Sequence, residues 1–186
     1  MDIAVPVRVL RLCRVVRTAG VALLAIVLAA YALPTFAPGL SLWNQHWAHV
    51  AAVGGLPVAW IAALGTGDRL LLAAVALPYL ACLIWAFVHL HRMLRGFERG
   101  DFFAASTIRH LRAFAGLILL ARILAMAAGH LRVAIAASLH ESLTTHPVLN
   151  ITSDELALVM LCTLIFLIAH MLEKGGRLED ENRSFL

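Results

Sequence analysis

A chain of 186 residues in which 62% are hydrophobic and 14% charged lies outside the range of soluble domains, because folded in water it would expose more apolar surface than a monomer can carry. Its net charge of +4 would suit nucleic acid, but the basic residues flank hydrophobic runs and no nucleic-acid motif accompanies them. Anionic lipid headgroups are therefore the expected counterpart, and no direct contact with nucleic acid is expected.

The first hydrophobic run follows a basic segment holding Arg8, Arg11, Arg14 and Arg17, and Pro34 closes it. It predicts a spanning helix over about residues 15–33 that reaches back toward Leu10. Ala30-Tyr31-Ala32 behind a basic start also resembles a signal-peptide cleavage site, a rival reading of this segment. Between Pro34 and Asp68, Trp43 and Trp47 fall one turn apart, with Val50 beyond, which predicts a short amphipathic helix anchored in the membrane interface.

A second span is predicted over 70–90, between Asp68-Arg69 and His91-Arg92. The loop after it is basic, punctuated by Gly96 and Gly100, and interleaves Phe97, Phe102 and Phe103 with charge. From about Ala104 the spacing of Ile108, Leu111 and Ala115 predicts an amphipathic helix that continues into a third span over 113–131. The fourth, over 156–172, follows Thr152-Ser153-Asp154-Glu155, a capping box that marks a helix start.

The expected fold is thus all-α: one domain over residues 1–186, an integral membrane four-helix bundle with short amphipathic interfacial helices. Twelve of the fifteen Lys and Arg residues lie in the N-terminal segment, the middle loop and the tail. Basic loops stay on the cytoplasmic side, so both termini are expected inside the bacterial inner membrane.

Arg122 stands ten residues from both Arg112 and Arg132, near the predicted midplane of span three. A charge there costs anywhere from about 2.5 to more than 10 kcal/mol, so it should face protein or water. Ala115, Ile118, Ala125 and Gly129 share its face, a mostly small stripe suited to close packing. No predicted span contains Asp or Glu, which leaves Thr163, Tyr79 and the Ala74 carbonyl freed by Pro78 as candidate partners. Arg122 is the candidate intramembrane functional residue.

Nine histidines divide into two depth layers, an arrangement that would suit haem between helices, although span one has none. His46 and His49 could share a metal with His140, His146 or Glu141, but two residues three apart are a weak signal. Cys13, Cys82 and Cys162 sit in basic or apolar surroundings and predict no disulfide. No nucleophile–base set, phosphate loop or zinc-protease motif occurs, so neither an enzyme nor a resident metal or cofactor is expected.

Arg99-Gly100-Asp101-Phe102-Phe103, followed by Ile108-Arg109-His110-Leu111-Arg112, resembles the segment before span three in the domain-of-unknown-function 2975 family of small bacterial membrane proteins. The tail Gly176-Arg177-Leu178-Glu179-Asp180-Glu181-Asn182 resembles that family's closing segment. Thr107 replaces a common Asn, and Arg183-Ser184-Phe185 replaces the usual apolar-Thr ending. Many members resemble accessory proteins encoded beside a small helix-turn-helix regulator. The resemblance implies an accessory or regulatory membrane protein that docks a small cytoplasmic DNA-binding regulator. Phe97, Phe102, Phe103, Arg177, Glu179, Asp180 and Glu181 are the candidate docking residues. Homo-oligomers are a further possible assembly. The alternatives are a small transporter or channel organised around Arg122 and a haem-binding b-type electron carrier.

Overall fold

The computed structural model describes residues 7–36, 64–100, 104–139 and 153–184. These residues form five helices and no strand: α1 (Val7–Phe36), α2 (Thr66–Ala74), α3 (Leu77–Glu98), α4 (Ala105–Leu139) and α5 (Ser153–Ser184). Four of them, all but α2, are long and apolar enough to cross a membrane. The expected interfacial helix around Trp43 and Trp47 lies outside the described residues, as do Phe102, Phe103, His46, His49, His140, His146 and Glu141.

Every helix departs from its predicted bounds for a local reason. α1 continues past Pro34 to Phe36, because a proline in the last turn removes one hydrogen bond yet has a helix-compatible φ. The predicted second span is two helices. α2 ends at Ala74, and the chain turns through Val75 and Ala76, where Ala76 N–H donates to the Ala73 carbonyl at 3.0 Å. α3 then starts at Leu77, which puts Pro78 in its first turn, where its missing N–H costs nothing. Gly96 belongs to α3 rather than to a loop. The helix stops at Glu98; Gly100 just beyond it donates its N–H to the Phe97 carbonyl at 3.1 Å and takes a φ of 82°, a conformation that favours glycine. α4 fuses the amphipathic lead-in and the third span into one helix of 35 residues. α5 starts at Ser153, with Asp154 and Glu155 in its first turn, and carries the tail as helix to Ser184.

The chain forms two compact units, to both of which α1, α3 and α4 contribute. The first comprises Met1–Leu23, Cys82–Leu119 and Ile151–Leu186. Its buried core joins Cys13 of α1 to Met93 and Leu94 of α3, with Leu90, Phe97 and Leu111 packed on it. Small residues let the backbones close: Ala86, Ala115 and Ala169 are fully buried, and a Cβ at Gly20 would stand 3.2 Å from the Phe87 ring. The second unit comprises Leu24–Ala81 and Leu120–Asn150. One of its cores joins Leu64 and Leu72 to Val133 and Ala136, and another joins Ala76 and Tyr79 to Ala128 with Tyr31 against them. Leu12, Val15, Val21, Leu23 and Ile26 of α1 and Leu161, Leu164, Leu167 and Met171 of α5 stay exposed, as side chains that meet lipid tails must.

α3 and α4 pack tightly at Gly96. A Cβ there would overlap the Oγ1 of buried Thr107 and lie 3.4 Å from its Cβ and Cγ2. Threonine is β-branched, so few χ1 rotamers are open to it in a helix. Gly96→Ala is expected to destabilise the protein by about 1–3 kcal/mol, seen as a lower Tm in detergent, and Thr107→Ala should restore part of that loss in the double variant.

Candidate functional site

Polar side chains gather at the basic end of the first unit, where the apolar helices can be cross-tied. Arg17 of α1 pairs with Glu98 of α3 at 3.5 Å, and Arg112 of α4 donates a hydrogen bond to Glu173 of α5. Both pairs are partly solvated, so each contributes at most about 1 kcal/mol, and their value lies in fixing which helices meet. Between them His89 of α3 meets His110 of α4, Nδ1 to Nδ1, at 2.9 Å. The two rings are 5.0 Å apart between centroids, and Trp85 stands edge-on to His89 at 6.4 Å. One imidazole donates its Nδ1–H and the other accepts at an unprotonated Nδ1. As placed, the two Nδ1 atoms face each other at hydrogen-bond distance.

Not every arginine at this end is used in the frame. Arg92, Arg95, Arg99 and Arg109 are exposed, as are Arg8, Arg11 and Arg14. Of the expected docking residues, Phe97 packs onto the Cys13–Met93–Leu94 core, so its ring holds α3 to its neighbours. Arg177, Glu179, Asp180 and Glu181 lie within α5.

A second polar cluster lies in the second unit. Arg132 donates from Nε to the Leu72 carbonyl at 2.9 Å. That carbonyl is available because α2 ends and Ala76 N–H turns to Ala73 instead. The Arg132 guanidinium also covers the Tyr31 ring, 5.5 Å from its centroid, and reaches the Tyr31 hydroxyl. Tyr79 meets Tyr31 edge-on with centroids 5.2 Å apart. Arg122 is partly buried and lies within electrostatic range of the Tyr31 hydroxyl. Of its expected partners, Thr163 donates to the Val159 carbonyl of its own helix at 2.8 Å, and the Tyr79 hydroxyl has no hydrogen-bond partner. The helix break does supply a carbonyl to an arginine: Arg132 takes that of Leu72.

Sequence reasoning missed Glu98, Glu173 and Arg132. The two glutamates sit just beyond apolar runs and look like ordinary flanking charge. Arg132 reads as a span boundary. The signal available for it was a basic residue at a helix end with no acid one turn away.

The match to a family model now covers residues 55–184, from the connection before α2 to the end of α5. The chain belongs to the DUF2975 family. That family is described as proteins of unknown function. Neither the curated proteins nor the solved structures contain a match. The family segment holds both glutamates of the basic-end frame, the histidine pair, Tyr79 and Arg132, whereas Arg17 and Tyr31 lie before it.

The histidine bond needs one Nδ1–H and one bare Nδ1. When both rings are cationic, two donors face each other and like charges repel, so stability present at neutral pH is lost on acidification. The Tm of the wild type is therefore expected to drop on acidification from pH 8 to pH 5, and His110→Phe should show a shallower drop. Identical profiles for the two would remove this pair from the acid response.

Proposed function

We propose that this protein is a non-catalytic accessory or regulatory component of the bacterial inner membrane, with both termini in the cytoplasm, and that it docks a cytoplasmic partner at its basic end. The observation that supports this most directly is the division of labour among the arginines. Arg17 and Arg112 tie helices together, while Arg92, Arg95, Arg99 and Arg109 stay exposed around that frame. A fixed frame bearing unspent charge suits recognition, since the cost of ordering the surface is met by folding and not at the moment of binding. The helical continuation of α5 carries the acidic run Glu179, Asp180 and Glu181 on the same side of the membrane in the expected topology. A small DNA-binding regulator is the partner that the family resemblance suggests, held through its protein surface.

The expected orientation is read by reporter fusions at each terminus, both of which should report cytoplasm. For docking, a helix-turn-helix regulator found encoded beside the gene would be co-expressed and purified through the membrane protein. Removal of Arg177–Leu186, or Arg95→Glu with Arg99→Glu, should reduce recovery of the regulator about tenfold or more, the loss of roughly 1.4 kcal/mol or more of binding. Undiminished recovery with both variants would place docking elsewhere.

A second reading, a small transporter or channel, draws on the partly buried guanidinium of Arg122 well inside a 35-residue apolar helix. It requires that some anionic solute raise the Tm of the wild type and not that of Arg122→Leu. A panel of solutes that shifts both forms alike would leave this reading without support.

A further inference from the structure

We infer that Arg132, Tyr31 and Tyr79 form a binding site for a phosphate group. The inference is independent of docking at the basic end. It starts from a charge imbalance. Arg132 is partly buried near the end of a helix apolar enough to span a membrane, and among the described residues no carboxylate pairs with it. Desolvating a guanidinium is costly. The aromatic face of Tyr31 and the hydrogen bond to the neutral Leu72 carbonyl only partly offset that cost. A guanidinium also carries more N–H donors than the Leu72 carbonyl and the Tyr31 hydroxyl can absorb.

Tyr79 supplies the second, separate observation. It is 7% exposed, its hydroxyl is buried, and that hydroxyl has no hydrogen-bond partner. Leaving such a group unmet is destabilising, and a phenylalanine of the same shape would avoid the cost. Tyr79 and Arg132 both lie against Tyr31, with ring-to-ring and guanidinium-to-ring separations of 5.2 and 5.5 Å. Tyr79 also packs on Ala128, one helical turn before Arg132 on α4. A surplus cationic donor and an unmet hydroxyl are thus gathered about one ring.

Groups of this kind call for a ligand that is anionic and rich in acceptor oxygens. A phosphate meets both demands, because its oxygens can accept from the guanidinium fork and from a phenol together. Its position at the end of a spanning helix is also where phospholipid phosphates lie. The same chemistry is presented by a phospholipid headgroup or by free phosphate, and titration separates the two sources.

Purified protein in neutral detergent is titrated with phosphatidylglycerol, with phosphatidylcholine and with inorganic phosphate, and Tm and lipid retention by native mass spectrometry are followed. Stabilisation by phosphatidylglycerol but not by inorganic phosphate identifies a headgroup site, and stabilisation by both identifies a site for the phosphate ion itself. The exposed arginines of the basic end also attract anionic lipid, so the decisive quantity is the difference between variants. Tyr79→Phe should be at least as stable as wild type without lipid, yet need about tenfold more ligand for half-maximal stabilisation. Arg132→Gln should weaken the response at least as far as Tyr79→Phe does. The inference is overturned if neither ligand stabilises the wild type, or if Tyr79→Phe and wild type share one midpoint. Because Tyr79→Phe removes only a hydroxyl, the result stands even if Arg132→Gln does not fold.

Discussion

A peptide group surrounded by hydrocarbon has no water to turn to, so each one must find its partner within the protein. The α2–α3 break is where this constraint shapes the fold most visibly. Pro78 cannot donate, the chain turns through Val75 and Ala76, and the Leu72 carbonyl leaves the helical ladder. Arg132 satisfies that carbonyl from α4, and in doing so it brings a guanidinium onto Tyr31 of α1. One broken backbone bond thereby gathers side chains from α1, α2, α3 and α4 into one cluster. The cluster holds more donors than acceptors, and this imbalance makes it a place for an anion.

The basic end of the first unit answers a different problem. Apolar helices gain little from one another in lipid, since the tails are as apolar as leucine. Contact then depends on shape and on a few polar ties. Gly96 against Thr107 and Gly20 against Phe87 provide the shape. Arg17–Glu98, His89–His110 and Arg112–Glu173 provide the ties, each between a different pair of helices in the order α1–α3, α3–α4, α4–α5. Each tie is weak alone, but together they set register. The arginines left over around this frame are the ones that can meet something else.

Much of this was legible in the chain. A hydrophobic run long enough to span, closed by charge, is a strong and local signal, and four of the helices follow from it. The capping tetrad before α5 placed that helix start at Ser153. What stayed hidden was pairing. Arg112 and Glu173 are 61 positions apart, and His89 and His110 are 21 apart. No periodicity links such residues, because which faces meet depends on how whole helices pack. Arg122 drew attention because it interrupts an apolar run, while Arg132 looked like a boundary marker. The distinction between a boundary charge and a charge held by a carbonyl exists only once α2 lies beside α4.

The sequence by itself determined that the chain is all-helical, that four segments can cross a membrane, and that it is a DUF2975 protein. These follow from composition, local hydropathy and short motifs, which act over a turn or a span and need no partner. Only the tertiary structure decided that the second hydrophobic run is two helices, that Phe97 serves the core, and that Arg132 and Tyr79 flank Tyr31. Those outcomes turn on hydrogen bonds and contacts between distant segments, and a linear pattern carries no information on which of several equally apolar faces will come together.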